Sequence, residues 1–183
     1  MTREAWPTDE IEVVVSGAFT THHHLATETR TLGELTLPAL RTGGVFRAGD
    51  GRELTVHRTS WWRGWHELRE GETVLGTARP RGFWRRQMAV QFEGRGYVLQ
   101  PAGFWTRSYY LVDAVERTLL EVRPRGAFRR GAYVTVMAEA CPERSRRDDL
   151  ALLVFAYYLV YAAWQREQAA AASAAAGGSS TVS

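Results

Sequence analysis

The chain has 183 residues, of which 45% are hydrophobic and 23% charged, which fits one folded domain with a sizeable core and excludes an intrinsically disordered protein. Its formal net charge is only +3, which is weak for a nucleic-acid-binding protein, although all 23 basic residues are arginine. The single cysteine, Cys141, excludes an intramolecular disulfide, and the start of the chain lacks the pattern of a signal peptide, so a cytoplasmic setting is expected.

Most of the chain reads as short β-strands. Residues 1–10 are polar and contain a proline, which predicts a flexible N-terminus before a folded domain at 11–168. Alternation of apolar residues, as at Leu54 and Val56, combines with turn signals to favour a sandwich or barrel of about twelve strands. The predicted strands are 12–19, 25–30 (the weakest), 34–37, 44–48, 53–57, 65–69, 73–79, 88–92, 97–100, 109–113, 118–123 and 133–138.

Three consecutive histidines, His22, His23 and His24, are the only cluster of ligand-type residues. Neighbours on a strand point to opposite faces, so at most two of them can converge on a metal ion, with Glu28 as a third ligand. No other spacing typical of metal sites supports this. Histidines at the surface of a loop or edge strand are the preferred interpretation, and a metal site is the alternative.

An internal repeat marks four corners of the chain. The segments are RTSWWRGW, PRGFWRRQ, PAGFWTRS and PRGAFRRG, which begin at residues 58, 80, 101 and 124 with spacings of 22, 21 and 23 residues. This length fits one two-stranded β unit. In one interpretation the aromatic residues cover a barrel rim and the arginines only solvate the corners. In the other, the corners form a ring of aromatic and cationic groups that faces an anionic surface.

Equivalent corners of successive units fall on one rim if the units run round a barrel with equal stagger. This geometry is the basis for a hypothetical lipid-binding site. Its proposed cations are Arg85, Arg86, Arg107, Arg129 and Arg130, and its proposed interfacial aromatic residues are Trp84, Trp105 and Phe128.

Residues 150–164 read LALLVFAYYLVYAAW, an apolar segment that predicts a helix over about 148–168. A helix that is apolar on every side must be enclosed by protein or by lipid. Fifteen residues are fewer than the roughly 20 that a membrane span needs, and a barrel of about twelve strands leaves a lumen to be filled. A plug inside the barrel is therefore preferred over a membrane anchor, with Asp148 and Asp149 at the helix start. The predicted core residues of the helix are Leu150, Leu153, Phe155, Tyr158, Leu159, Tyr161 and Trp164.

The remaining motifs give no catalytic site. The alanine, glycine and serine tail at 169–183 predicts disorder, and no nucleophile elbow or phosphate-binding loop occurs in the chain. Cys141 is interpreted as a structural thiol, and Glu143 with the two aspartates as a charged linker and helix cap. No catalytic residue, metal ligand set or cofactor is therefore predicted.

The expected barrel, the repeated G-[FA]-[FW]-x-R corners and the helix DDLALLVFAYYLVYAAW together resemble the tubby C-terminal-like superfamily, over about 11–168. Within it, the compact hairpins look closest to the LURP-one-related proteins and short bacterial members. The resemblance implies a closed barrel around a hydrophobic helix and an activity that concerns membrane lipids. The chain departs from tubby domains in having no lysine, and from phospholipid scramblases in having no acidic calcium loop.

These observations predict a non-enzymatic, monomeric, cytoplasmic β-barrel that binds anionic membrane lipid head groups, peripheral at the inner membrane face. The alternative is a protein-interaction scaffold without lipid binding, because aromatic and arginine-rich corners also suit protein interfaces. An enzyme and a nucleic-acid-binding protein are not expected.

Overall fold

The computed structural model describes residues 10–39, 43–60, 63–82, 86–103, 105–126, 130–137 and 146–177. They form twelve antiparallel β-strands that close into a barrel, followed by one α-helix. The predicted fold class is therefore confirmed. The elements are β1 (Ile11–Ser16), β2 (Thr20–Ala26), β3 (Thr31–Pro38), β4 (Gly43–Ala48), β5 (Glu53–Ser60), β6 (Trp65–Glu70), β7 (Thr73–Arg81), β8 (Gln87–Phe92), β9 (Arg95–Pro101), β10 (Tyr109–Asp113), β11 (Thr118–Pro124), β12 (Gly131–Val136) and α1 (Arg146–Gly177).

The barrel is closed by the pairing of its first and last strands. Each strand pairs with its neighbours in sequence, and β1 also pairs with β12, where Ile11 lies opposite Val134. All twelve strands are thus paired on both sides. Because an unpaired edge can recruit another chain, closure removes a route to aggregation.

Side chains alternate between the lumen and the outer surface. In β5, Leu54 and Val56 are fully buried, whereas Thr55 and His57 between and after them are partly exposed. This is the period of two that a strand imposes. Side chains alone fill a barrel of eight strands but not one of twelve, so the lumen requires a further element.

Helix α1 is that element. All residues of 151–160 are buried, so this part of the helix has no solvent-exposed face. Tyr157 hydrogen-bonds to β2 and Tyr158 to β6, while Phe155 lies against Gly76 of β7, where an added Cβ would come within 3.3 Å of its ring. The helix therefore touches several sides of the barrel and forms its core, as predicted.

The seven helix residues predicted as core all contact it. Leu153, Phe155, Tyr158, Leu159 and Trp164 are buried, whereas Leu150 and Tyr161 are partly buried and pack against them. No helix in the described part of the chain combines the length and hydrophobicity that a membrane span requires.

Two predicted strand boundaries are wrong. The strand predicted at 12–19 ends at Ser16, and the weak strand predicted at 25–30 is instead β2. The polar sequence TTHHHLA of β2 shows no apolar alternation, yet it pairs with β1 and β3. Pairing within the closed sheet therefore outweighs the missing hydrophobic pattern.

The helix is longer than the predicted 148–168. It begins at Arg146 and continues to Gly177, because the alanines that follow the buried segment have the highest helix propensity. Residues 169–177 of the predicted disordered tail are therefore helical. Residues 1–9 and 178–183, which were also predicted to be flexible, lie outside the described residues.

The up-and-down strand order places successive turns at opposite ends of the barrel. The C-terminal part of α1 leaves the barrel lumen at one of these ends, which the connections after the odd-numbered strands form. There the Trp164 indole N–H donates to the Arg107 carbonyl at 2.8 Å. We call the described residues of these connections the exit rim: 17–19, 39, 63–64, 82, 86, 102–103, 105–108, 125–126 and 130. The far rim consists of the turns after β2, β4, β6, β8 and β10: 27–30, 49–52, 71–72, 93–94 and 114–117.

Candidate functional site

Charge is distributed unequally between the two rims. The six connections that join the strand pairs at the exit end contain no aspartate or glutamate in their sequence. Each of the five far-rim turns contains one: Glu28, Asp50, Glu72, Glu93 and Glu116. The described exit rim instead carries Arg63, Arg86, Arg107, Arg125 and Arg130, of which Arg86 pairs with Glu167 and Arg125 with Glu12. The exit rim is therefore the end of the barrel that attracts anions.

The structure describes four of the eight residues predicted to bind lipid. Arg86, Arg107, Arg130 and Trp105 all lie on the exit rim. The described parts of the four repeated corners thus share one end of the barrel. The other four predicted residues lie outside the described part of the chain: Trp84, Arg85, Phe128 and Arg129.

The exit-rim arginines are held by the helix and by neighbouring turns. Arg86 lies 3.6 Å from the Glu167 carboxylate, and the Arg107 guanidinium lies 5.7 Å from the centre of the Trp164 ring. Arg130 donates to a carbonyl of the β1–β2 turn at 2.9 Å. Among the described residues, Arg107 and Arg130 have no carboxylate within salt-bridge distance. Their charge is therefore positioned without being neutralised.

Two aromatic side chains project from the same rim. Phe19 and Trp105 are 87% and 91% exposed, more than any other large hydrophobic residue that the structure describes. Between their turns lies the β11–β12 connection, which carries Arg125 and Arg130. Exposed aromatic rings flanking cations suit an interface that is apolar on one side and wet on the other.

A cavity of about 940 Å³ opens at the exit rim. It lies between α1 and one side of the barrel, where β1 to β4 form the middle of the wall and β5, β6, β11 and β12 its flanks. Its outer wall is largely apolar and includes Val15, Leu37 and Pro38, while Tyr161 and Ala162 line it from the helix. The small side chain of Ala162 leaves this space open beside the helix.

Guanidinium groups stand on two sides of this apolar wall. Arg58 and Arg166 lie on one side, and Arg107 and Arg130 on the other. Arg58 and Arg166 approach the same point, because a Cβ added to Gly64 would be 4.0 Å from Nη2 of the first and 3.9 Å from Nη1 of the second. The two guanidinium groups are therefore within about 8 Å of each other at this side of the cavity, where both offer hydrogen-bond donors.

The floor of the cavity is neutral. His66 Nδ1 hydrogen-bonds to the Tyr158 hydroxyl at 3.2 Å. Burial lowers the pKa of His66 to about 3, with a further contribution from the charges of Arg166 and Arg58. Burial raises the pKa of Tyr158 to about 12. Both groups are uncharged at neutral pH, so the positive potential of the cavity comes from the arginines.

A second buried histidine anchors the helix beside the cavity. The Thr21 hydroxyl donates to the Leu37 carbonyl at 3.3 Å, so its oxygen accepts the Nε2–H of His23 at 2.9 Å. His23 Nδ1 then accepts the Tyr157 hydroxyl at 2.6 Å. Burial, with a smaller contribution from the neighbouring His22 and His24, lowers the pKa of His23 to about 4. This relay of three hydrogen bonds fixes the neutral tautomer.

The other two histidines lie on the outer surface. His22 Nδ1 and His24 Nδ1 contact the two carboxylate oxygens of Glu34 at 2.8 and 3.1 Å. The hydrogen bond from His22 is the main cause that lowers the pKa of Glu34. The surface interpretation therefore holds for two histidines and is wrong for His23, and β2 is not an edge strand.

The alternative metal site is not supported. Glu28, the predicted third ligand, lies in the β2–β3 turn, and Glu34 occupies the position beside the histidines instead. No group of three or more His, Cys, Asp or Glu residues in the described ranges has a geometry that could hold a metal ion. Cys141 and Glu143 lie outside these ranges.

Sequence reasoning missed three residues of the site. Arg58 opens the first repeated corner and Arg166 follows the apolar segment directly, so both positions carried a signal. Phe19 carried none, because it stands alone in a short turn.

Comparison of the chain with protein-family models, with curated proteins and with solved structures finds no match.

Proposed function

We propose that the protein binds anionic lipid head groups at the exit rim, without catalysis, as a cytoplasmic protein at the inner face of the membrane. One observation carries the proposal: the exit-rim connections contain arginines and no carboxylate, while every far-rim turn contains a carboxylate. Such a charge distribution orients the barrel with its exit rim toward an anionic bilayer.

The exposed aromatic residues add to this electrostatic attraction. Each arginine near an anionic bilayer contributes about 1 kcal/mol, which salt weakens. Phe19 and Trp105 offer apolar surface that a bilayer interface would cover. The combination of arginines with exposed aromatic rings suits a membrane surface better than a soluble polyanion, because a soluble polyanion offers no apolar layer to cover the rings.

We further propose membership of the tubby C-terminal-like superfamily. The closed twelve-strand barrel around a C-terminal apolar helix agrees with the architecture that the resemblance implies. The lipid-directed activities of that superfamily are consistent with the proposed function.

Flotation with lipid vesicles tests the function. The protein should float with phosphatidylserine vesicles at low salt and not with phosphatidylcholine vesicles. Replacing Arg63 and Arg107 by glutamine should weaken the partition constant roughly thirtyfold, since about 2 kcal/mol of attraction is removed. Both side chains are exposed, so folding should be unaffected.

The matched control replaces Arg30 and Arg95, two exposed arginines at the far end, by glutamine. This variant has the same net charge as the test variant and should float like the wild type. Equal losses in both variants would show attraction to net charge alone and contradict the assigned rim. No flotation, with stoichiometric capture of a protein partner instead, would establish the scaffold alternative.

A further inference from the structure

We propose that the exit-rim cavity binds one single-chain anionic amphiphile, with its hydrocarbon chain between α1 and the β1–β4 wall and its carboxylate or phosphate head group between Arg58 and Arg166. This goes beyond the proposed function, because binding to a bilayer surface requires no cavity.

The shape and lining of the cavity suit a hydrocarbon chain. Its volume of about 940 Å³ lies within the range of roughly 300–1,000 Å³ that small-molecule sites occupy. Val15, Leu37 and Pro38 face Tyr161 and Ala162 across it. An apolar wall at an open rim would otherwise face water, so a bound chain removes apolar surface from solvent.

The charges around the cavity suit an anionic head group. Arg58 and Arg166 line the cavity together with the neutral pair of His66 and Tyr158, and their guanidinium groups lie within about 8 Å of each other. Guanidinium groups bind carboxylate and phosphate through paired hydrogen bonds. The Tyr158 hydroxyl, which lines the same cavity, is a further polar group at its floor. An apolar wall bounded by cations is the arrangement that a ligand with one chain and one anionic end requires.

Calorimetric titration with monomeric amphiphiles, below their micelle concentrations, tests the site. Dodecanoate and dodecyl phosphate carry the two head-group chemistries, and dodecyl maltoside carries the same chain with a neutral head. We expect 1:1 binding of at least one anionic probe, and binding of the maltoside about tenfold weaker or more, since it forms no charge-assisted hydrogen bond. Shortening dodecanoate to decanoate should weaken binding roughly tenfold, because two methylenes are lost.

Two variants and their controls locate the ligand. Ala162→Phe places a ring in the cavity beside α1 and should weaken binding of every probe at least tenfold, whereas Ala169→Phe on the exposed part of α1 should not. Arg166→Gln should weaken the anionic probes about tenfold and leave the maltoside unchanged, while Arg95→Gln at the far end should change neither. Equal binding of all three twelve-carbon probes, or unchanged binding by Ala162→Phe, would overturn the proposal.

Nuclear magnetic resonance of the wild-type protein gives a test without substitutions. A nitroxide-labelled fatty acid should broaden the amide signals of Val15 and Leu37, and spare those of Val74 and Val115 toward the far rim. Broadening only at the latter pair would overturn the assigned site. Vesicle flotation without 1:1 amphiphile binding would refute this inference and leave the proposed function standing. Amphiphile binding at 1:1 without vesicle flotation would refute the proposed function and leave this inference standing.

Discussion

Acidification from pH 8 to pH 5 should destabilise the barrel through its two buried histidines. Both side chains are almost fully buried, and their folded-state pKa values lie at about 4 for His23 and about 3 for His66, below 6.5 in the unfolded chain. Their contribution to stability is therefore complete above pH 6.5 and is lost as the pH falls toward 4 and 3. At pH 5 the unfolded chain binds almost one proton at each site and the folded chain almost none, so each histidine removes about 2 kcal/mol, or about 4 kcal/mol together.

This magnitude depends little on the folded-state pKa values, because both lie well below pH 5. Stopping at pH 5 also avoids the window of Glu34, whose folded-state pKa lies below 4.5. Urea unfolding followed by tryptophan fluorescence at pH 8 and pH 5 measures the difference. His23→Gln with His66→Gln should flatten the pH dependence. A change below about 1 kcal/mol in the wild type, or the same change in the double variant, would refute the reasoning.

Two further substitutions test the enclosure of the helix. Tyr158→Arg should abolish cooperative folding, because it removes the hydroxyl that bonds to His66 and adds a third positive charge beside Arg58 and Arg166. Such changes cost several kcal/mol against a total stability of about 5–15 kcal/mol. A soluble variant that melts cooperatively by circular dichroism would show that the helix is misplaced. Gly76→Val should lower the unfolding free energy by about 1–3 kcal/mol, because its Cβ would press on Phe92 at 3.0 Å and Phe155 at 3.3 Å. Gly96→Val, which meets only a flexible glutamine side chain, is the matched control, and equal losses in the two variants would contradict close packing at β7.

Much of the fold could be predicted from the sequence because its periodicities are strong. Alternation within the strands and the uniformly apolar segment 150–164 are enough to indicate a barrel and its plug. Strand β2 could not be placed in this way. Its inward-facing His23 is polar in sequence and becomes a lumen residue only because Tyr157 offers it a hydrogen bond across the barrel. Such long-range pairing leaves no local pattern.

The candidate site was less accessible to sequence reasoning. The repeat indicated that the corners share one rim, because equivalent turns of an up-and-down barrel recur at the same end. The cavity left no signal, since it is a gap between α1 and the strands rather than a property of any segment. Arg58 lies in a strand and Arg166 in the helix, and only the closed barrel brings them to one point beside Gly64.

The position of the core element at the C-terminal side of the barrel governs how this chain acquires its structure in the cell. The ribosome completes all twelve strands before it begins α1, and the closing pair of Ile11 with Val134 joins distant parts of the chain. The apolar faces and unpaired edges of the nascent strands are therefore exposed until α1 has been synthesised. Such intermediates are targets for chaperones and proteases. The barrel must close around the helix, since threading a helix into a finished barrel would require chain passage that proteins avoid.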